Sequence, residues 1–125
     1  MSSQLFSTVP QDHLSLFKRE KPNYPQVVEF LSLRKEEVAR ATGIAPSSIR
    51  YDEKIPKDLA ETLLHWAVLF NRVAEHFKGD IRKTALWFNI PNPMLGNISP
   101  KDMIRLGRYK KLLNFVIQSI EENNK

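Results

Sequence analysis

The sequence contains no cysteine and only four glycines. Without thiols there are no disulfides, no cysteine nucleophiles and no thiolate-bound metal sites. With so few glycines, the sequence has no glycine-rich loop of the kind that binds nucleotide phosphates. Its three histidines are not spaced to share a metal ion, and no serine–histidine–aspartate arrangement stands out. We therefore expect a protein that is not an enzyme and that holds no metal or cofactor.

The chain also lacks long apolar runs. No stretch approaches the ~18 consecutive apolar residues of a membrane-spanning helix, and the first residues lack the basic and apolar regions of a secretory signal. With 125 residues, 42% of them apolar, we expect one domain, or two very small ones that share a core, in the cytoplasm.

The net charge of +5 lies mostly in the second half of the chain. Residues 1–60 hold nine basic and eight acidic residues, whereas residues 61–125 hold ten and six. A balance this mildly basic permits nucleic-acid binding without requiring it.

Helical periodicity runs through most of the chain, and the fold class that it predicts is all-α, with seven or so helices. The longest helix is predicted from Lys57 to about Lys78, where Gly79 ends it, because apolar side chains recur there every three or four residues. Its apolar surface is wider than one face, which suggests a central position or a second protomer, so we expect a homodimer. Residues 1–25 are predicted to form an N-terminal arm with one short helix near Gln11–Phe17.

The loop from Trp87 to Pro100, WFNIPNPMLGNISP, combines several fixed backbone choices. Its two inner prolines lock φ and restrict the residues before them. Gly96 indicates a turn with positive φ, and Ser99 with the proline after it is typical of a helix start. We expect a rigid loop between helices, which is a suitable place for recognition. Asp80 is predicted to cap the helix before this loop.

Residues 34–51, RKEEVARATGIAPSSIRY, have the spacing of a helix-turn-helix. Ala39 lies where two helices would approach closely, Gly43 lies at the turn, and Ile49 is the core residue of a second helix predicted over Ser47–Asp52. In a major groove, that helix would direct four side chains at bases or phosphates: Ser47, Ser48, Arg50 and Tyr51. The alternative is a helical corner without a DNA-binding role, which the nearly neutral first half of the chain favours.

Together the two segments resemble the Xre/MbcA/ParS family of bacterial antitoxins, in which an Xre-like helix-turn-helix region precedes a small helical toxin-binding domain. In chain order, the motifs that carry the second half of the resemblance are Ala85, Trp87, Pro91-Asn92, Leu95-Gly96, Ser99-Pro100, Gly107 and the amphipathic helix Tyr109–Ile120. The resemblance implies that residues 26–79 form the helix-turn-helix region with a long connecting helix. Residues 80–125 would then form the toxin-binding domain.

The resemblance also implies a function. Such antitoxins bind a toxin with an ADP-ribosyltransferase-like fold that consumes NAD or transfers from it, they block its NAD site, and the complex often represses its own operon. The toxin-binding residues implied here are Trp87, Asn92, Pro93, Leu95, Gly96, Ser99, Pro100, Lys101, Arg105 and Arg108.

The same residues have structural alternatives. Trp87 suits a core position, Asn92 suits hydrogen bonds to its own loop, and the basic residues suit a solvated face. Two other functions also stay open. One is a stand-alone helix-turn-helix repressor with a C-terminal dimerisation region, and the other is an interaction adaptor that has lost DNA binding.

Overall fold

The computed structural model describes residues 11–123, and this part of the chain is mostly helical. Its α-helices are α1 (Tyr24–Phe30), α2 (Lys35–Thr42), α3 (Lys57–His76), α4 (Ile81–Asn89), α5 (Pro100–Arg105) and α6 (Tyr109–Asn123). Two single 3-10 turns, Pro46–Ser48 and Pro93–Leu95, lie in the connections. The helical character predicted from periodicity is confirmed.

A small antiparallel hairpin precedes the helices and was not predicted. Its strands are β1 (Phe17–Lys18) and β2 (Lys21–Pro22), with Phe17 opposite Pro22 and Lys18 opposite Lys21. The two residues at its tip both have left-handed φ angles, which matches the turn type that two-residue hairpin loops prefer. Neither tip residue is a glycine or an asparagine, so the sequence carries no recognisable hairpin signal.

Helix α3 is the centre of the fold. Its most deeply buried large side chains are Leu59, Leu63, Trp66, Leu69 and Phe70. Helices α1, α4 and α6 pack around it. The ring of Phe70 lies 5.0 Å from the rings of both Phe30 in α1 and Phe88 in α4. The chain's own helices therefore cover much of the wide apolar surface of α3, and that surface no longer argues for a second protomer.

One hydrophobic core joins the two regions that the resemblance separates. The cluster of buried residues extends from Leu14 to Val116 and draws on α1, α2, α3, α4, α5 and α6. Helix α5 also packs against α2, where the Arg105 guanidinium lies 3.9 Å from the Glu37 carboxylate. Helices α4 to α6 thus pack against the first half of the chain and share one core with it.

The segment before the hairpin is fastened to α3. The Asp12 carboxylate accepts two backbone N–H groups of its own segment, at 2.8 and 2.9 Å, and the side-chain amide of Asn71 at 3.0 Å. Asn71, which is fully buried in α3, accepts the backbone N–H of Leu14 at 3.1 Å. The prediction of a helix near Gln11–Phe17 was wrong, because these side chains pair backbone groups that a helix would use. Residues 1–10 of the predicted arm lie outside the described residues.

The second helix of the predicted helix-turn-helix is not formed. Helix α2 ends at Gly43 in the left-handed conformation, as predicted. However, Pro46–Ser48 make a single 3-10 turn, and Ile49 is already extended, with φ −76° and ψ 110°. The alanine before this turn supplies no side-chain cap, and Asp52 instead accepts the backbone N–H of Lys54 in a local turn. The prediction of a helix over Ser47–Asp52 was therefore wrong.

Candidate functional site

The loop between α4 and α5 closes on itself through hydrogen bonds. The backbone N–H of Asn92 donates to the carbonyl of Ile98 at 3.1 Å, and the Asn92 side chain accepts the N–H of Met94 at 2.9 Å. Gly96 and Asn97, with φ of 75° and 64°, turn the chain back. These bonds hold the loop in one shape without help from a partner. The local role that was the alternative for Asn92 is confirmed.

Three other residues implied for toxin binding also serve the fold. Ser99 is 5% exposed, and its hydroxyl accepts the backbone N–H of Asp102 at 3.1 Å, which caps α5 as predicted. Pro100 is buried at the first position of that helix, and Leu95 packs partly buried against the core. Their contribution to a binding site is to set the position of the loop.

Trp87 is half-buried beside a crevice between α3, α4 and α6. Its ring meets Phe88 edge to face, with centroids 5.0 Å apart. The crevice has a volume of about 130 Å³, and its walls are Val73, His76, Phe77, Trp87, Phe115, Val116, Ser119 and Ile120. The indole therefore supports α4 and also lines a mostly apolar opening, which we call the Trp87 crevice.

One of the implied basic residues, Arg105, is engaged within the chain. Its guanidinium lies 3.0 Å from the Asp102 carboxylate, in addition to its longer contact with Glu37. The pKa of Glu37 is lowered, first by the backbone N–H of Arg34 that its carboxylate accepts at the start of α2. Arg105 thus helps to hold α5 against α2 and is not simply open to a partner.

Arg108 lines a second depression, between the loop and α6. Its volume is about 480 Å³, and its walls are Met94, Leu95, Gly96, Met103, Arg108, Lys111, Asn114, Phe115 and Gln118. We call it the Arg108 groove. Arg108 and Lys111 are both exposed, so they give the groove a positive charge at an open surface. Phe115 is a wall of both the Arg108 groove and the Trp87 crevice.

Three exposed apolar side chains at the C-terminal end of α4 and in the loop were missed by the sequence analysis. Leu86, Ile90 and Met94 are 59%, 49% and 78% exposed, and we call them the α4–loop strip. Leu86 and Ile90 lie one helical turn apart and so face the same way. In the sequence, Leu86 and Ile90 each follow a buried residue of α4, Thr84 or Phe88, by two positions. This spacing places them away from the buried face of the helix and could have predicted their exposure. Exposed apolar side chains one turn apart make this part of the surface a candidate for binding another molecule.

The four residues predicted to read DNA lie outside any α-helix. Ser47 and Ser48 are exposed on the 3-10 turn, and Tyr51 is partly buried. The Arg50 guanidinium donates to the Asp52 carboxylate through Nε at 2.7 Å and through a second nitrogen. This hydrogen-bonded pair raises the pKa of Arg50 and lowers the pKa of Asp52. Arg50, the strongest base reader among the four, thus already holds an anionic partner.

Residues 11–123 contain neither a metal-ligand cluster nor a membrane-crossing helix. No three His, Asp or Glu side chains in this range are grouped so that they could hold a metal ion. None of the helices described there has the length and apolar character needed to cross a membrane.

Comparisons with known proteins give no relative. No protein-family model, no curated protein and no solved structure matches the chain. The resemblance to the antitoxin family therefore depends on the motifs of this sequence alone.

Proposed function

We propose that this protein is the antitoxin of a type II toxin–antitoxin system and that it acts in the cytoplasm. It binds and neutralises a toxin with an ADP-ribosyltransferase-like fold, and it has no catalytic activity of its own. The motif order from Ala85 to Gly107 supports this class of partner. The binding surface is the α4–loop strip together with the neighbouring Trp87 crevice and Arg108 groove.

The exposure of the α4–loop strip is the observation that carries the proposal. Complete burial of a leucine, isoleucine or methionine side chain is favourable by about 1.5–3 kcal/mol, so three such side chains left in water form a surface that gains from a partner. The loop beneath Met94 is already closed by its own hydrogen bonds. A preformed loop reduces the entropy lost on binding.

Stand-alone repression is the weaker candidate. It requires residues 47–51 to enter a major groove as a helix, whereas Pro46–Ser48 form a single 3-10 turn. To read guanine, the Arg50 guanidinium would also have to give up its hydrogen bonds to Asp52.

Co-expression with the product of the adjacent gene tests the proposal. We expect the two proteins to purify as one complex that survives gel filtration, while the product of a gene further away does not co-purify. An adjacent gene product that forms no complex with the protein would contradict the proposal.

A further inference from the structure

The Trp87 crevice and the Arg108 groove lie on adjacent sides of α6 and meet at Phe115, which is a wall of both. The other residues that α6 gives to the groove lie on one side of Phe115 around the helix, and those that it gives to the crevice lie on the other side. We call this combined surface the α6 track.

The chemistry of the α6 track differs between its ends. The crevice end is formed mainly by aromatic and branched apolar side chains, with Trp87 and Phe77 among them. The groove end combines the exposed side chain of Met94, which adapts to irregular shapes, with the cations Arg108 and Lys111. Among the described lining residues of either depression there is no carboxylate. An occupant that complements both ends is apolar on one side and negatively charged near α5.

We propose that the α6 track is the docking site for an acidic amphipathic helix of the partner. This inference depends on the proposed function, because it names the part of the toxin that the surface receives. That helix crosses α6 at Phe115, with one apolar side chain in the crevice and another in the groove. Carboxylates beside the second apolar residue face Arg108 and Lys111. A DNA backbone is the other anionic candidate, but it makes no use of the apolar crevice.

A pair of synthetic helical peptides tests this chemistry without the toxin. The first peptide has about 15 residues, with leucines at helical spacing along one face and glutamates beside them, and the second has lysine in place of each glutamate. Binding to the full chain is measured by fluorescence anisotropy at about 50 mM salt, where charge effects are strong. We expect the acidic peptide to bind at least about tenfold more tightly than the basic one.

Variants of exposed residues assign the binding to the track. Lys111→Glu alone should reduce the preference for the acidic peptide, and its combination with Arg108→Glu should abolish or reverse it. Lys110→Glu is the matched control, because Lys110 is exposed on the same helix but does not line the groove, and it should leave most of the preference intact. Met94→Ser should weaken the binding of both peptides several-fold, and Met94 is exposed enough that folding is retained.

Several results would overturn the inference. Equal binding of the two peptides would overturn it. An equal effect of Lys110→Glu and Lys111→Glu on binding would overturn it as well, because it would indicate a diffuse electrostatic attraction. Tight binding of a DNA duplex of about 20 base pairs that depends on Arg108 and Lys111 but not on Met94 would assign the surface to nucleic acid. If neither peptide binds although the complex with the adjacent gene product forms, this inference fails and the proposed function stands. If the acidic peptide binds but no complex forms, the proposed function is the part that fails.

Discussion

The α4–loop strip predicts how much affinity for the toxin a single side chain supplies. Leu86 is 59% exposed in the free protein, and complete burial of a leucine is favourable by about 1.5–3 kcal/mol. The part still in water can therefore contribute about 1–2 kcal/mol when the toxin covers it. We expect Leu86→Ser to weaken toxin binding by that amount, or roughly 5-fold to 30-fold.

Isothermal titration calorimetry with the purified toxin measures this loss. Because Leu86 is exposed, the free energy of unfolding of the variant should change by less than about 0.5 kcal/mol, which thermal unfolding checks. Ile81→Ser is the matched control, because Ile81 is 53% exposed on the same helix. Ile81 lies five residues before Leu86, or about 140° around the helix, so the loss of its side chain should change the affinity for the toxin less than twofold.

Two results would refute this reasoning. Unchanged affinity in Leu86→Ser would remove the α4–loop strip from the interface. An equal loss in Leu86→Ser and Ile81→Ser would show that the effect comes from altered helix propensity or from general apolar contact, and not from this face of α4.

Three further predictions concern the scaffold. Asn71→Ala should lower the free energy of unfolding by about 1–3 kcal/mol, because it leaves the buried N–H of Leu14 without an acceptor, and denaturant titration measures the change. Gly79→Ala should cost about 1–2 kcal/mol in the same assay, because Gly79 has φ of +81° and an added Cβ would lie 2.9 Å from the His13 ring. Since the folded pKa of Glu37 lies below its ordinary value of 4.5, its charge stabilises the fold above that pH, and this contribution is lost as the pH falls through the folded pKa. Glu37→Gln should therefore reduce the difference in unfolding free energy between about pH 7 and about pH 3, whereas an unchanged pH dependence would contradict the assignment.

Helix boundaries could be predicted where the signal is local. The caps Asp80 and Ser99 depend on residues within one turn, and the structure confirms both. Helix α3 ends at His76, about two residues before its predicted end, because Lys78 and not only Gly79 takes the left-handed conformation.

The prediction of the second helix of the helix-turn-helix was wrong, although the spacing of Ala39, Gly43 and Ile49 matches that motif. Ile49 is buried as predicted, but a buried apolar residue and a glycine turn do not require a helix between them.

The loop that holds the candidate site was predicted, but the side chains that it leaves exposed were not. The motif order located the loop, and the capping chemistry of Ser99 followed from its neighbours. Which side chains remain open to a partner depends on contacts between distant segments, and a sequence pattern does not show these. The sequence gives no sign that Arg105 has a partner, whereas in the fold its guanidinium lies close to the Glu37 carboxylate of α2. Met94 reads as an ordinary apolar residue, yet the closed loop leaves it 78% exposed.

Inhibition of the toxin's own reaction tests the central claim most directly. The adjacent gene product, purified alone, is incubated with NAD, and the loss of NAD is followed by chromatography with and without this protein. We expect the adjacent gene product to consume NAD and an equimolar amount of this protein to reduce that consumption to background. NAD consumption that continues unchanged in the presence of excess protein, or an adjacent gene product that consumes no NAD, would contradict the account.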